Sequence, residues 1–98
     1  MIYEFKTSLT VSGGSASTVT LNIIHGLLRS VFVKANTDTT VFRFNLKDED
    51  NLPRQDYGFS TGMLNDNLIQ YPITGRYTVS ITNASPNDTF AIRLGIEE

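Results

Sequence analysis

The alternation of apolar and polar residues is the feature that most limits what this chain can fold into. In residues 18–23 and 40–47, an apolar side chain follows a polar one at nearly every step. The pattern recurs in residues 77–82 and 90–96, and residues 3–11 form a further run. A period of two residues is typical of a β-strand with one buried face. The sequence therefore predicts an all-β protein.

Five segments between these runs are rich in residues that favour turns. They are residues 12–15, 25–26, 36–38, 72–75 and 83–88. The segment 48–67 carries Pro, Gly, Asp and Asn, and it predicts a surface loop with one or two short strands near 57–60. A last short strand is expected at 68–71. About eight strands at the spacing of a sandwich or barrel predict one antiparallel β-sandwich, jelly-roll-like, that occupies residues 1–98.

The inward positions of these strands form the expected core. Aliphatic and aromatic side chains on the inner faces of two sheets would interdigitate to fill the space between them. The predicted core residues are Phe5, Leu21, Ile23, Val31, Val33, Phe42, Phe44, Tyr77, Val79, Ile81, Ile92 and Leu94.

Residues 26–35 allow two interpretations. Their apolar residues would line one side of an amphipathic helix, but Val, Phe and Val at 31–33 favour a strand, which we prefer. On a strand, Leu28 and Phe32 point away from the core. A Leu and a Phe on one outward face predict a second buried surface, either a subunit interface or a site that the loop 48–67 covers.

Composition excludes several classes of function. A chain of 98 residues can build one hydrophobic core and not two. A net charge of −2 gives no electrostatic basis for binding nucleic acid or anionic lipid. No run approaches the roughly 20 apolar residues that cross a bilayer, and residues 1–6 lack the pattern of a signal peptide. Without cysteine, and with His25 as the single histidine, the chain lacks the usual catalytic groups, so we expect no enzyme.

The acidic residues after the predicted strand 40–47 are candidate metal ligands. Calcium binds six to eight oxygens, and Asp48 and Asp50 on one loop would supply several. The strict calcium-loop pattern is not matched, because Asn-Leu-Pro-Arg follows at 51–54. Acidic residues at a strand end also form solvated turns that discourage edge pairing. The sequence leaves calcium binding and a solvated turn as alternatives.

Three aromatic residues, Tyr57, Phe59 and Tyr71, lie in or beside the loop-rich middle of the chain. Sugar-binding β-sandwiches present aromatic faces to pyranose rings and hydrogen-bond the hydroxyls with polar side chains. The polar complement here would be Arg54, Asp56 and Asn65. The alternative is that the rings close the ends of the core. A small extracellular carbohydrate-binding module, stabilised by calcium, is thus one candidate function.

Along its whole length the chain combines a Gly/Ser-rich tip, a Thr-rich strand at 17–23 and the segment Gly-Leu-Leu-Arg at 26–29. Further strands follow at 39–46, 75–81 and 90–96. This order resembles small β-sandwich virion proteins of tailed bacteriophages, especially those from marine sources: capsid decoration, head-fibre or tail-accessory proteins. The resemblance implies an oligomeric, non-enzymatic protein docked on a capsid or tail, and it transfers no role to any single residue.

A second resemblance is local. The sequence Gly-Arg-Tyr-Thr-Val at 75–79 is similar to the G-x-Y-T-V stretch of secreted β-sandwich modules appended to bacterial proteases and glycosidases. In those modules an acidic strand end can hold calcium, which would give Asp48 and Asp50 a role.

We therefore expect a virion structural protein without a cofactor. It would self-associate as a trimer or other small cyclic oligomer, with Leu28 and Phe32 at the interface, and contact other virion proteins.

Overall fold

The computed structural model describes residues 2–11, 17–82 and 88–98, and it describes the side chains of residues 4–11, 26–82 and 88–98. The regular structure of the described residues consists of seven β-strands. The strands are β1 (Ile2–Thr10), β2 (Ser17–Ala35), β3 (Val41–Lys47), β4 (Pro53–Thr61), β5 (Met63–Asp66), β6 (Tyr71–Thr82) and β7 (Thr89–Glu97). The all-β prediction is confirmed, and the strand preferred for residues 26–35 is part of β2. The predicted turn at 12–15 and most of that at 83–88 lie outside the described residues.

Strand β2 connects the two halves of the sheet. All pairs are antiparallel, in the order β1-β7-β2-β6-β3-β4, with β5 also paired to β2. Residues 17–28 of β2 pair with β6, whereas residues 27–35 pair with β7 and residues 31–34 pair with β5. The two halves of one long strand therefore belong to different parts of the sheet.

The sheet folds over itself into two layers. Phe42 of β3 and Phe90 of β7 are three places apart in the strand order, yet their ring centroids are 5.0 Å apart in an edge-to-face arrangement. Such a contact between distant strands requires two faces of the sheet to pack together, which gives the sandwich that the sequence predicts.

The space between the layers is filled by aliphatic and aromatic side chains. Every predicted core residue whose side chain is described is buried or, for Phe5, packed against the core, while Leu21 and Ile23 lie outside the described side chains. The buried hydrophobic residues are Leu9, Val11, Leu28, Val31, Val33, Ala35, Phe42, Phe44, Leu46, Ile69, Ile73, Tyr77, Val79, Ile81, Phe90, Ile92, Leu94 and Ile96.

The turn predicted at His25 and Gly26 is wrong, because β2 continues through both residues. The pairing of β2 with β6 shifts register between Ile23 and His25. At Gly26, a Cβ atom would lie 2.8 Å from the carbonyl oxygen of Glu97 in β7. Glycine is required at this position by the close approach of another strand rather than by a chain reversal.

The outward orientation predicted for Leu28 is also wrong. The pairing of β2 with β7 shifts between Leu28 and Ser30, and the extra residue at such a bulge reverses the alternation of faces. Leu28 is therefore fully buried and cannot form an exposed interface. Phe32 lies half-buried, opposite Asn65 of β5 and Arg93 of β7.

The segment 48–67 is more regular than the predicted loop, because β4 and β5 occupy most of it. The short strand predicted at 68–71 is wrong in its position, since residues 67–70 are not in a strand and β6 begins at Tyr71. The turn predicted at 72–75 is part of β6. Strand β3 pairs only with residues 78–82 of β6, so the missing N–H of Pro72 interrupts no pairing with β3.

Gly62 forms the corner where the chain leaves β4 beside β3 and enters β5 beside β2. Its N–H donates to the carbonyl of Thr40 at 2.7 Å, and its carbonyl accepts from the N–H of Ala35 at 2.9 Å. Its φ of 75° is left-handed, and a Cβ atom would lie 2.5 Å from the carbonyl oxygen of Asp38. Both the backbone conformation and the space therefore require glycine.

We predict that Gly62→Ala destabilises the fold by about 3 kcal/mol, because left-handed strain and a backbone clash add together. Gly58→Ala is the matched control. Gly58 is also left-handed, with a φ of 66°, but nothing lies within 4 Å of its added Cβ, so it should cost only about 1 kcal/mol. Urea unfolding measures both values, and equal losses for the two variants would contradict the role given to the Asp38 contact.

Candidate functional site

The outer face of β3 and β4 carries exposed apolar side chains beside polar ones. In the register of this pair, Val41 lies opposite Thr61 and Arg43 lies opposite Phe59. Because side chains alternate between the two faces of a sheet, all four point to the same side, away from the buried Phe42. The two strands thus place two apolar and two polar side chains on one outward surface, which we call the β3–β4 face.

Phe59 and Val41 leave much of their apolar surface in contact with solvent. Phe59 is 65% exposed and Val41 is 47% exposed. The two residues are diagonal neighbours on adjacent strands, a separation at which an aromatic side chain reaches its neighbour. Single exposed apolar residues are common, but an aromatic ring beside a second apolar side chain on a regular strand face offers area for a partner.

An ion pair borders these apolar residues. The Arg43 guanidinium donates from Nε to Oδ1 of Asp56 at 3.0 Å and from Nη2 to Oδ2 at 2.5 Å. The hydrogen bond from Arg43, and then the N–H of Gly58, lower the pKa of the Asp56 carboxyl below its usual value. The pair is partly exposed, so it adds little stability, but its two-point geometry holds both groups in place beside Phe59.

A bulge in β4 separates the aromatic residues that the sequence placed together. Between the pairs Arg43–Phe59 and Asn45–Asp56, β4 advances by one residue more than β3. Tyr57 therefore turns inward, where its ring lies 6.3 Å from that of Phe44, while Phe59 stays outside. Burial, followed by the nearby charge of Asp66, raises the pKa of the Tyr57 hydroxyl.

The remaining residues of the predicted carbohydrate site are dispersed. Tyr71 packs against the core and accepts a hydrogen bond at 3.1 Å from Nη1 of Arg54. Asn65 is exposed on β5, opposite Phe32. Of the six predicted residues, the register brings Phe59 and Asp56 together on the β3–β4 face. The three aromatic rings do not share one face, and sugar binding stays a prediction.

The carboxylate of Asp48 stabilises a turn. Its Oδ1 accepts the N–H of Asp50 at 2.9 Å and that of Leu52 at 3.0 Å, and its Oδ2 accepts from Nε of Arg54 at 2.7 Å. The hydrogen bonds from Arg54 and then Leu52 lower the pKa of Asp48. Both carboxylate oxygens are thus already engaged by donors, which supports the turn that the sequence left as the alternative to a calcium site.

An open polar depression of about 310 Å³ lies between this turn and residues 74–77 of β6. Its lining residues are Asp48, Glu49, Asp50, Arg54, Thr74 and Tyr77. Glu49 reaches across to accept a hydrogen bond at 3.4 Å from the N–H of Arg76. The depression is therefore the junction between the 48–52 turn and β6.

Within residues 2–11, 17–82 and 88–98, no three His, Cys, Asp or Glu side chains come close enough to hold a metal ion. That part of the chain also contains no helix of the length and apolarity needed to cross a membrane. The side chain of His25 lies outside the described ones.

The β3–β4 face could have been recognised in part from the sequence. The alternation over 40–47 that placed Phe42 and Phe44 inside also places Val41 and Arg43 outside, so an apolar residue at an outward position was visible. The pairing of Arg43 with Phe59 and Asp56 was not visible, because it depends on the register and the bulge of a second strand.

Comparison with known proteins identifies similar folds and no family. No protein-family model and no curated protein matches the chain. The crystal structure of PliG from Aeromonas hydrophila, a periplasmic inhibitor of g-type lysozyme, is similar with a TM-score of 0.51 and 17% identity, over 98% of this chain and 86% of that one. At this identity the similarity shows the fold alone.

Two viral structures are also similar, at lower scores. A chain of the cyanophage Pam1 capsid asymmetric unit gives a TM-score of 0.45 and 13% identity, over 99% of this chain and 83% of that one. A chain of infectious bursal disease virus, Gt strain, gives 0.43 and 15%, over 98% of this chain and 31% of that one. The structural neighbours thus include phage and viral capsid proteins.

We predict that acid weakens the fold partly through Asp48. A carboxyl with a lowered pKa in the folded state contributes stability that is fully present above its unfolded pKa of about 3.9 and is lost as the pH falls through the folded value. Thermal unfolding between pH 7 and pH 3 should therefore show a smaller acid-dependent fall in Tm for Asp48→Asn than for the unmodified protein.

Asp38→Asn is the control for this measurement, because the Asp38 side chain is 93% exposed and contacts Lys34 only at 3.4 Å. This variant should follow the unmodified protein across the pH range. Parallel curves for Asp48→Asn and the unmodified protein would show that the turn does not contribute to acid sensitivity.

Proposed function

We propose that this protein is a non-enzymatic structural protein of a bacteriophage virion, which self-associates and docks on the capsid or tail through the β3–β4 face. The observation that supports the proposal most is the exposure of Phe59 beside Val41 on that face. Aromatic side chains are enriched at protein interfaces, and a few residues near the centre of an interface contribute most of the binding energy.

The composition of the β3–β4 face suits a protein partner. An interface usually has an apolar centre and a polar rim. Val41 and Phe59 supply the centre, and the ion pair of Arg43 with Asp56 supplies a fixed part of the rim. Since this pair is already formed in the isolated chain, a partner would meet two nearly neutralised charges in a defined geometry, which reduces the cost of ordering side chains on binding.

The fold agrees with the resemblance found in the sequence. The resemblance implies a small β-sandwich, and the described residues form one. A structural protein also needs rigid surfaces, and the antiparallel pairing of seven strands provides them. Only 18% of the residues in this chain are charged, which limits electrostatic repulsion between copies that pack closely.

Carbohydrate binding is the less favoured alternative. Stacking against sugar rings requires exposed aromatic faces, yet Tyr57 and Tyr71 are both packed against the core. Phe59 alone among the three predicted rings is largely exposed. One exposed ring beside an ion pair fits a protein contact at least as well as a sugar, and we therefore prefer the structural function.

We predict that Phe59→Ser with Val41→Thr weakens self-association about tenfold to a hundredfold, because burial of a Phe side chain contributes about 1.5–3 kcal/mol. Size-exclusion chromatography with multi-angle light scattering over a range of concentrations measures the mass. Folding should be preserved, because both side chains point into solvent. Leu68→Ser is the matched control, since Leu68 is 92% exposed but lies outside the face. An unchanged mass for the double variant would exclude the β3–β4 face as a self-association surface.

The virion location is tested independently of association. We expect peptides of this chain in mass spectra of tailed phage particles purified through a caesium chloride gradient from the host lysate, at a copy number that stays constant across the particle band. Recovery only from the soluble fraction of the lysate would contradict a virion location.

A further inference from the structure

Strand β1 presents a long and regular sheet edge. Nine residues, from Ile2 to Thr10, pair with β7 without any shift in register. Among the described strands β1 pairs only with β7, so its second side meets no strand within residues 2–11, 17–82 and 88–98. A strand in this position offers alternate N–H and C=O groups to another strand.

The other two described strands that have a single partner strand, β4 and β5, are interrupted or short. Strand β4 begins with Pro53, contains the left-handed Gly58 and shifts register twice against β3. Strand β5 is only four residues long. Prolines, bulges and short lengths are the usual means by which proteins prevent edge-to-edge pairing. Strand β1 has none of these features.

The side chains of β1 show which partner would fit. Glu4, Lys6 and Ser8 are exposed on one face of the strand, and the Nζ of Lys6 lies 3.7 Å from Oε1 of Glu4. On the other face Phe5 is only half-buried, at the border of the core. An edge with one acidic and one basic residue two positions apart is complementary to its own antiparallel copy.

We propose that a second copy of this chain pairs antiparallel with β1 in a register centred on Phe5. The inference rests on the self-association in the proposed function and adds a second surface for it, separate from the β3–β4 face. In this register Glu4 of each copy lies opposite Lys6 of the other, which gives two opposite-charge pairs related by a twofold axis. The two Phe5 rings meet on the inner side and cover the part of each ring that one copy leaves exposed.

The charges on β1 favour this register over the register centred on Lys6, which would keep the same side chains on each face of the sheet. A register centred on Lys6 would place the two Lys6 side chains directly opposite each other, and like charges in that position are destabilising. A single lysine on an edge strand therefore discourages pairing, whereas Glu4 and Lys6 together favour one alignment.

Charge reversal tests the proposal. In sedimentation equilibrium over a range of concentrations, we expect a dimer whose dissociation constant rises about tenfold or more in Glu4→Lys and in Lys6→Glu, because each change creates two like-charge contacts. The double variant E4K/K6E restores opposite charges across the twofold axis, and its dissociation constant should return to within about threefold of the original value.

Lys34→Glu is the control for the change in net charge, because Lys34 is an exposed lysine in an ion pair on β2, and β7 separates β2 from β1. It should leave the dimer unchanged. Hydrogen exchange gives a second measurement: amide protection in β1 should increase with protein concentration in the unmodified chain and not in Lys6→Glu.

The proposal would be overturned by a monomer at all concentrations up to about 1 mM, by equal effects of Lys6→Glu and Lys34→Glu, or by no recovery in E4K/K6E. Association lost only in the Val41/Phe59 double variant would also overturn it, while leaving the proposed function in place. A dimer that depends on Glu4 and Lys6, in a protein missing from purified particles, would support this pairing and contradict the virion location.

Discussion

The position of β2 in both layers is the constraint on which the rest of the structure depends. Its nineteen residues pair first with β6 and then with β7 and β5, so the two layers share this strand. Only five residues, 36–40, connect the end of β2 to β3. Strand β3 nevertheless pairs with residues 78–82 of β6, which is the end of β6 that pairs with the start of β2. Strand β2 must therefore bend strongly, and the bend brings Phe42 against Phe90. Two register shifts within β2 and the absence of a side chain at Gly26 permit that bend.

The β-bulges also determine which side chains are exposed and available for function. An extra residue in one strand reverses the faces beyond it. In β2 it turns Leu28 into the core, and in β4 it turns Tyr57 inward while leaving Phe59 outside. Both reversals remove a residue that an uninterrupted alternation would expose. The β3–β4 face therefore owes its composition to a bulge as much as to the residues themselves.

These reversals also explain how far the sequence could predict the molecule. In these pairings β1, β3 and β7 contain no extra residue of their own, and the local pattern placed Phe42, Phe44, Ile92 and Leu94 correctly in the core. Glycine at 26 and proline at 72 are ordinary turn signals, but here their positions are set by the approach of Glu97 and by the absence of β3 from that part of β6. The contact between Gly26 and Glu97 joins the second strand to the last one, and no local pattern records it. For this reason only part of the β3–β4 face could be predicted. The outward position of Val41 follows from the pattern of β3 alone, whereas its position relative to Phe59 and Asp56 depends on the register between β3 and β4.

The two proposed association surfaces lie at opposite ends of the strand order, β1 at one end and β4 at the other. Pairing through β1 is isologous: it uses the same surface on both copies, so it closes after two and leaves the β3–β4 face of each copy free. Under the proposed function, a contact through the β3–β4 face would then join the pair to another pair or to a different protein. A protein with one self-complementary edge and one separate apolar face can thus connect neighbouring sites on a larger surface. This division would let a chain of 98 residues act as a link between larger proteins, because each contact needs only a few residues on a rigid strand.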